Sequence, residues 1–186
     1  MFTKYSFKLA ILLASLFVFH FPSPSNASEV NKIIDDFTDN PEKRWNFYTD
    51  QVMGGKSQLE VNADDGIFSL SGYVTTINNG GFVRLAHRPK NIDKDIKGIR
   101  FMAKGNNESY EVHVTMQGIR MPPWAYHSSK FNVNNEWQMF EISFSEFEKK
   151  SGMSPKLLPK NIRDISFAGY GRDFNVDLHV KEISFY

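Results

Sequence analysis

From Gly66 to the last residue the chain alternates apolar and polar side chains with a period of two. Tyr110-Glu-Val-His-Val-Thr-Met116 shows this most clearly, and Gly98-Ile-Arg-Phe-Met-Ala103 repeats it. Successive side chains of a strand point to opposite faces, so this period demands sheets with one face on a core. Segments 66–72, 73–77, 81–87, 131–133, 137–144, 164–169 and 176–186 read the same way. Gly72, between the first two of these, marks an expected bulge. Short strands separated by turn signals predict an all-β sandwich or barrel. Helix is confined to one turn within Glu29–Ile34 and a short helix over Ser145–Lys150 started by a Ser cap. Ser151–Lys160 reads as a loop.

The first 27 residues stand apart. Lys4 and Lys8 precede a largely apolar run from Leu9 to Phe21, and Ser25 and Ala27 supply small residues after it. This is the pattern of a signal peptide cleaved after Ala27. The run is short for an uncleaved anchor, because a transmembrane helix needs roughly 20 apolar residues. Residues 28–186 are then expected to form a single exported domain, periplasmic or secreted. Losing two lysines and no acid takes the net charge from +1 to −1. Such a chain has no overall field for capturing nucleic acid or an anionic membrane. The sequence contains no cysteine, so neither a lipidated Cys nor a disulfide is available and the apolar core must carry stability.

Two paired glycines punctuate the first half. Trp45-Asn-Phe-Tyr-Thr-Asp50-Gln-Val-Met53-Gly54-Gly55-Lys-Ser57 is followed by Asn78-Asn79-Gly80-Gly81-Phe82. Glycine pairs flanking strand-like sequence mark backbone at unusual φ, or in close approach to another group. Gly55-Lys-Ser57 lacks the upstream glycine and following helix of a phosphate loop, and it is not a Gly-x-Ser-x-Gly elbow. Asp50 and Ser57 fit two roles: presenting polar groups to a ligand, or bonding nearby backbone to hold the turn. Asn79-Gly80 is by itself a hairpin signal.

These residues, with Phe68-Ser-Leu-Ser-Gly72, Gly98-Ile99, Phe131, Trp137, Phe144…Phe147 and the closing Phe174-x-Val-x-Leu-x-Val-x-x-Ile183, resemble the CIA30 family, that of complex I intermediate-associated protein 30. The similarity spans about Asp35 to Tyr186. It implies a galactose-binding-like jelly roll with at most short helices. It also implies a non-enzymatic role, since the family's mitochondrial members are assembly factors for respiratory complex I. The export signal argues against carrying that partner over. The sequence also departs from the family at Gly105-Asn-Asn-Glu-Ser-Tyr110 and at Arg172-Asp173.

The expected binding surface combines Asp50, Met53, Gly54, Gly55, Ser57, Asn79, Gly80 and Gly81 with Trp124 and Tyr126 of the loop Met121-Pro-Pro-Trp124-Ala-Tyr126-His127. Trp124 and Tyr126 suit a stacking platform for sugars or for a partner's apolar side chains; the alternative is a loop that buries Trp124 over the core edge. Trp45 and Trp137 are assigned to the core or its edge. No cofactor is expected; Asp35, Asp36 and Glu182 are weak candidates for a structural calcium that would tie the chain ends together. His87, His113, His127 and His179 lack zinc-type spacing. The functional expectation is a monomeric accessory or assembly factor that docks a protein. A carbohydrate-binding module is the alternative, and a polysaccharide-active hydrolase or lyase ranks third.

Overall fold

Twelve strands appear in the computed structural model, which describes residues 32–118 and 125–186. In chain order they are β1 (Lys32–Asp35), β2 (Trp45–Thr49), β3 (Gln58–Asp64), β4 (Ile67–Val74), β5 (Phe82–His87) and β6 (Gly98–Gly105). Then follow β7 (Ser109–Met116), β8 (Tyr126–Asn132), β9 (Gln138–Ser143), β10 (Glu148–Lys149), β11 (Ile162–Tyr170) and β12 (Phe174–Phe185). One sheet runs β3-β4-β12-β6-β9, with β1 also paired to β12; the other runs β10-β8-β7-β11-β5-β2. Every pair is antiparallel. The result is a jelly-roll sandwich whose non-strand turns are short 3-10 pieces.

Alternation sorts the side chains as expected. On β7, Tyr110, Val112, Val114 and Met116 enter the core, and on β12 Val176, Leu178 and Val180 meet them from the opposite sheet. Phe101 of β6 packs edge-on against Phe131 of β8 and Phe167 of β11, at 5.1 and 4.9 Å between ring centres, so aromatic contacts bridge the two sheets.

Several elements differ from the sequence reading. Residues 32–35 pair with β12 as a strand instead of continuing a helical turn. The helix expected over 145–150 is one 3-10 turn, Phe144–Glu146, with Ser143 and Glu146 capping it reciprocally, followed by β10. Gly72 is not a bulge between two strands but lies inside β4. There a Cβ would stand 2.2 Å from the Gln58 carbonyl oxygen, so the close cross-strand approach of β3 requires glycine. Asn79-Gly80 is not a hairpin turn, because β4 and β5 belong to different sheets and residues 75–81 cross between them. Trp137 lies partly buried on the outer side of the β6 sheet, flanked by the Lys104 and Lys181 ammonium groups at 5.2 and 4.8 Å.

Candidate functional site

The two glycine pairs converge on one side chain. Thr49 ends β2 and caps a 3-10 turn, Asp50–Met53, that closes with Gly54 at φ 87°. This turn directs the Asp50 carboxylate inward, where it is fully buried. Its oxygens accept the Ser57 amide (2.9 Å) and hydroxyl (2.5 Å), the Gly81 amide (2.5 Å) and the Phe82 amide (3.2 Å). The Ser57 hydroxyl oxygen in turn accepts the Thr75 amide at 3.0 Å. Burial alone pushes the Asp50 carboxyl up, but the Ser57 and Gly81 donors outweigh it and hold the group below the usual carboxylate range. A Cβ on Gly55 or Gly80 would sit 2.3 or 2.4 Å from atoms of that carboxyl, so both glycines make room for Asp50.

Asp50 and Ser57 therefore lie beneath the surface and do not face a ligand. Gly55 and Gly81 are buried with them, while Met53, Gly54 and Asn79 are exposed above. The Asn78 amide donates to the Gly54 carbonyl at 3.2 Å, linking the two turns on the outside as well. Val52, Met53 and Ile77 project from this rim with 71, 62 and 58% of their surface open.

A second buried carboxylate tests the calcium candidates. Asp35 receives Arg44 through both oxygens at 2.7 and 2.8 Å, the Trp45 indole N–H at 2.9 Å and the Phe37 amide at 2.8 Å. With a guanidinium already on the carboxylate, Asp35 does not fit a cation site. Asp36 is turned to Thr38, and Glu182 is exposed beside Lys181. Among the described residues no group of three or more metal-ligating side chains forms.

The outward face of the β7 sheet carries residues the sequence reading did not assemble. Pairing registers place Tyr48, Arg84, Ala168, Glu111 and Lys130 in one row across β2, β5, β11, β7 and β8. His113 lies in the next row, its Nε2 2.7 Å from Glu111 and its Nδ1 against the Arg84 guanidinium. Those partners assign the neutral tautomer: Nε2–H donates to the Glu111 carboxylate and Nδ1 accepts from Arg84. Burial, assisted by the Arg84 charge, pushes His113 down to about 4 despite Glu111. Arg84 also donates to the Tyr48 hydroxyl at 3.2 Å and lies over the Tyr126 ring.

Tyr126 corrects an expectation. It opens β8, and its ring stacks on His113 (4.3 Å, 20° between planes) with the Arg84 guanidinium 5.1 Å from its centre, and 3% of its surface is exposed. It is not a free stacking platform. Tyr170, 6.3 Å away and 40% exposed, presents an open ring instead. Trp124, its expected companion, lies outside the described residues. Phe82 joins the two regions, with its amide on Asp50 and its ring 6.2 Å from that of Tyr48. The available signal was the spacing of Glu111, His113 and Thr115, polar residues on one side of a strand whose other side is apolar.

The opposite sheet carries a further hydrogen-bonded row. Ser69 Oγ is 2.8 Å from His179 Nδ1, and His179 Nε2 is 3.0 Å from Asp177. The connectivity resembles a nucleophilic triad, but Ser69 sits mid-strand on β4 between β3 and β12. Its backbone amides belong to the ladder, leaving none there to receive an oxyanion.

The jelly-roll fold is shared with carbohydrate-binding modules of known structure. The family 11 module of the cellulosomal cellulase Lic26A-Cel5E of Clostridium thermocellum is 20% identical; the match covers 83% of this chain and 93% of that one, with a TM-score of 0.67. The Clostridium thermocellum family 11 module in complex with a β-1,3-1,4-mixed-linked tetrasaccharide gives 20% identity, 83 and 94% coverage and a TM-score of 0.66. The agarase AgWH50C is similar over 83% of this chain and 24% of its own length, at 12% identity and a TM-score of 0.56. At these identities the likeness is one of fold. No curated protein matches the chain by sequence. The chain belongs to the complex I intermediate-associated protein 30 (CIA30) family, whose profile matches residues 35–179.

Proposed function

We propose that this chain is an exported, non-catalytic binding factor that docks a protein partner on its glycine rim. The observation that carries the reading is the exposure of Val52, Met53 and Ile77 on two turns locked together by the buried Asp50. Exposed apolar groups on a soluble surface mark interaction sites, and a rim held rigid before binding loses little entropy when it docks. Membership in a family named for association with complex I intermediates supports a protein partner. Among the described residues, the three buried carboxylates, Asp35, Asp50 and Glu111, are each engaged in bonds inside the fold, which supports a non-catalytic role. Export rests on the N-terminal pattern of basic, apolar and small residues. The test is affinity purification from the native host with the wild-type chain and with Met53→Asp combined with Ile77→Asp. Loss of the captured protein at unchanged melting temperature is expected; retention would remove the rim from the interface.

A second reading, glycan binding on the outward face of the β7 sheet, is favoured by Tyr170, whose open ring stands beside Phe82 and the Arg84 cluster. A fold shared with a module solved with a mixed-linked tetrasaccharide supports it. Mixed-linked β-glucan binding that is lost in Tyr170→Ala is the expected result; no binding across a glycan array would end this reading.

A further inference from the structure

Sheet edges present unpaired backbone groups, and natural proteins blunt them with charges, bulges or very short strands. Four edges here follow that rule. β3 carries Glu60 and Asp64, β9 carries Glu141, β1 carries Lys32 and Asp35, and β10 is the two residues Glu148 and Lys149. β2 does not: its five residues, Trp45-Asn-Phe-Tyr-Thr49, include no charge and no proline. It pairs regularly with β5 along its full length, from Trp45 opposite His87 to Thr49 opposite Val83. In such a pair every second residue of β2 turns its N–H and C=O away from β5. Among the described residues, β5 is the only strand that pairs with β2. Phe47, in register with Leu85 on the core side of the sheet, is nevertheless 56% exposed, because among the described residues no strand pairs with the outer edge of β2.

We infer that β2 pairs antiparallel with β2 of a second copy of this chain. The edge is complementary to itself. A two-fold axis at Phe47 sets Phe47 against its counterpart, Asn46 against Tyr48 and Trp45 against Thr49. The pairing brings no like charges together, covers both exposed rings and continues the β7 sheet across the dimer. This replaces the monomer expected from sequence, and it depends on neither ligand reading above. A five-residue pairing is a small interface, so the association is weak and depends on concentration.

The absence of cysteine allows a direct test, because Phe47→Cys introduces the sole thiol. Directly opposed residues of an antiparallel pair have Cα atoms roughly 4.5–5.5 Å apart, within the span of a disulfide. Mild oxidation of Phe47→Cys is expected to give a reducible covalent dimer in high yield, well above that of Met153→Cys, an equally exposed position away from β2. Sedimentation of the unmodified protein from about 1 to 500 µM is expected to show a monomer–dimer equilibrium, weakened at least about tenfold by Phe47→Lys with the far-ultraviolet spectrum retained. A monomer throughout that range, or a dimer unaffected by Phe47→Lys, overturns the inference. Equal cross-linking of the two cysteine variants overturns it as well.

Discussion

The Asp50 carboxylate accepts the Gly81 amide proton across 31 positions of sequence, fastening the two glycine pairs into one buried joint. Three amides and a hydroxyl lose their acceptor if it is removed. Each orphaned buried donor costs about 1–3 kcal/mol. Asp50→Ala is therefore expected to destabilise the fold by at least about 3 kcal/mol in urea titrations, whereas Lys56→Ala, exposed on the same loop, stays within about 0.5 kcal/mol.

Gly55→Ala and Gly80→Ala test the same joint from outside. Each adds a methyl where the Asp50 carboxyl already lies. Both are expected to cost more than Gly54→Ala, which meets nothing within 4 Å and carries only the strain of its φ of 87°. That Gly54 strain is on the order of 1 kcal/mol. Thermal melts of the three variants give the ranking.

Acid is expected to unfold this protein through His113. Its folded value of about 4 lies below the ordinary 6.5, so the unfolded chain binds the proton first. The stability contributed is complete above about pH 6.5 and is lost as pH falls toward 4, a change of about 3 kcal/mol. Glu111, whose value is also held down through its bond to His113 against the opposing effect of burial, adds loss of the same sign at lower pH. His113→Gln is expected to flatten the dependence between pH 6.5 and 4 in denaturant titrations.

Tyr126→Ala removes a buried ring packed against His113 and Arg84 and is expected to lower stability by about 3–5 kcal/mol, as for other buried aromatic truncations. Tyr170→Ala, at an exposed position, is expected to leave the melting temperature within a few degrees. Comparison of the two melts establishes which tyrosine is a clean probe for ligand binding.

Much of the fold was legible because alternation is a local property. β4–β7, β9, β11 and β12 were marked by apolar residues at every second position, and a one-residue register slip would send those residues into water. β2 and β3 were not foreseen. Trp45-Asn-Phe-Tyr-Thr49 mixes polar and aromatic residues on an edge where Phe47 stays half in solvent, so the burial contrast that marks a strand is weak there. The candidate site was legible in part. Paired glycines announced a constrained turn, and polar residues 111, 113 and 115 stood on one side of a strand, but neither pattern names a partner.

Sequence alone determined the fold class, the family and the two glycine pairs, because these depend on period, composition and motif order along the chain. Tertiary structure decided that Asp50 and Ser57 are buried, that Tyr126 is covered while Tyr170 on the same sheet face stays open, and that Arg84, Glu111 and His113 form one network. The physical reason is that these outcomes depend on cross-strand registers and on desolvation by residues 29–88 positions away. A buried carboxylate and a ligand-facing one look alike in sequence. Only the donors that surround it in the fold distinguish them.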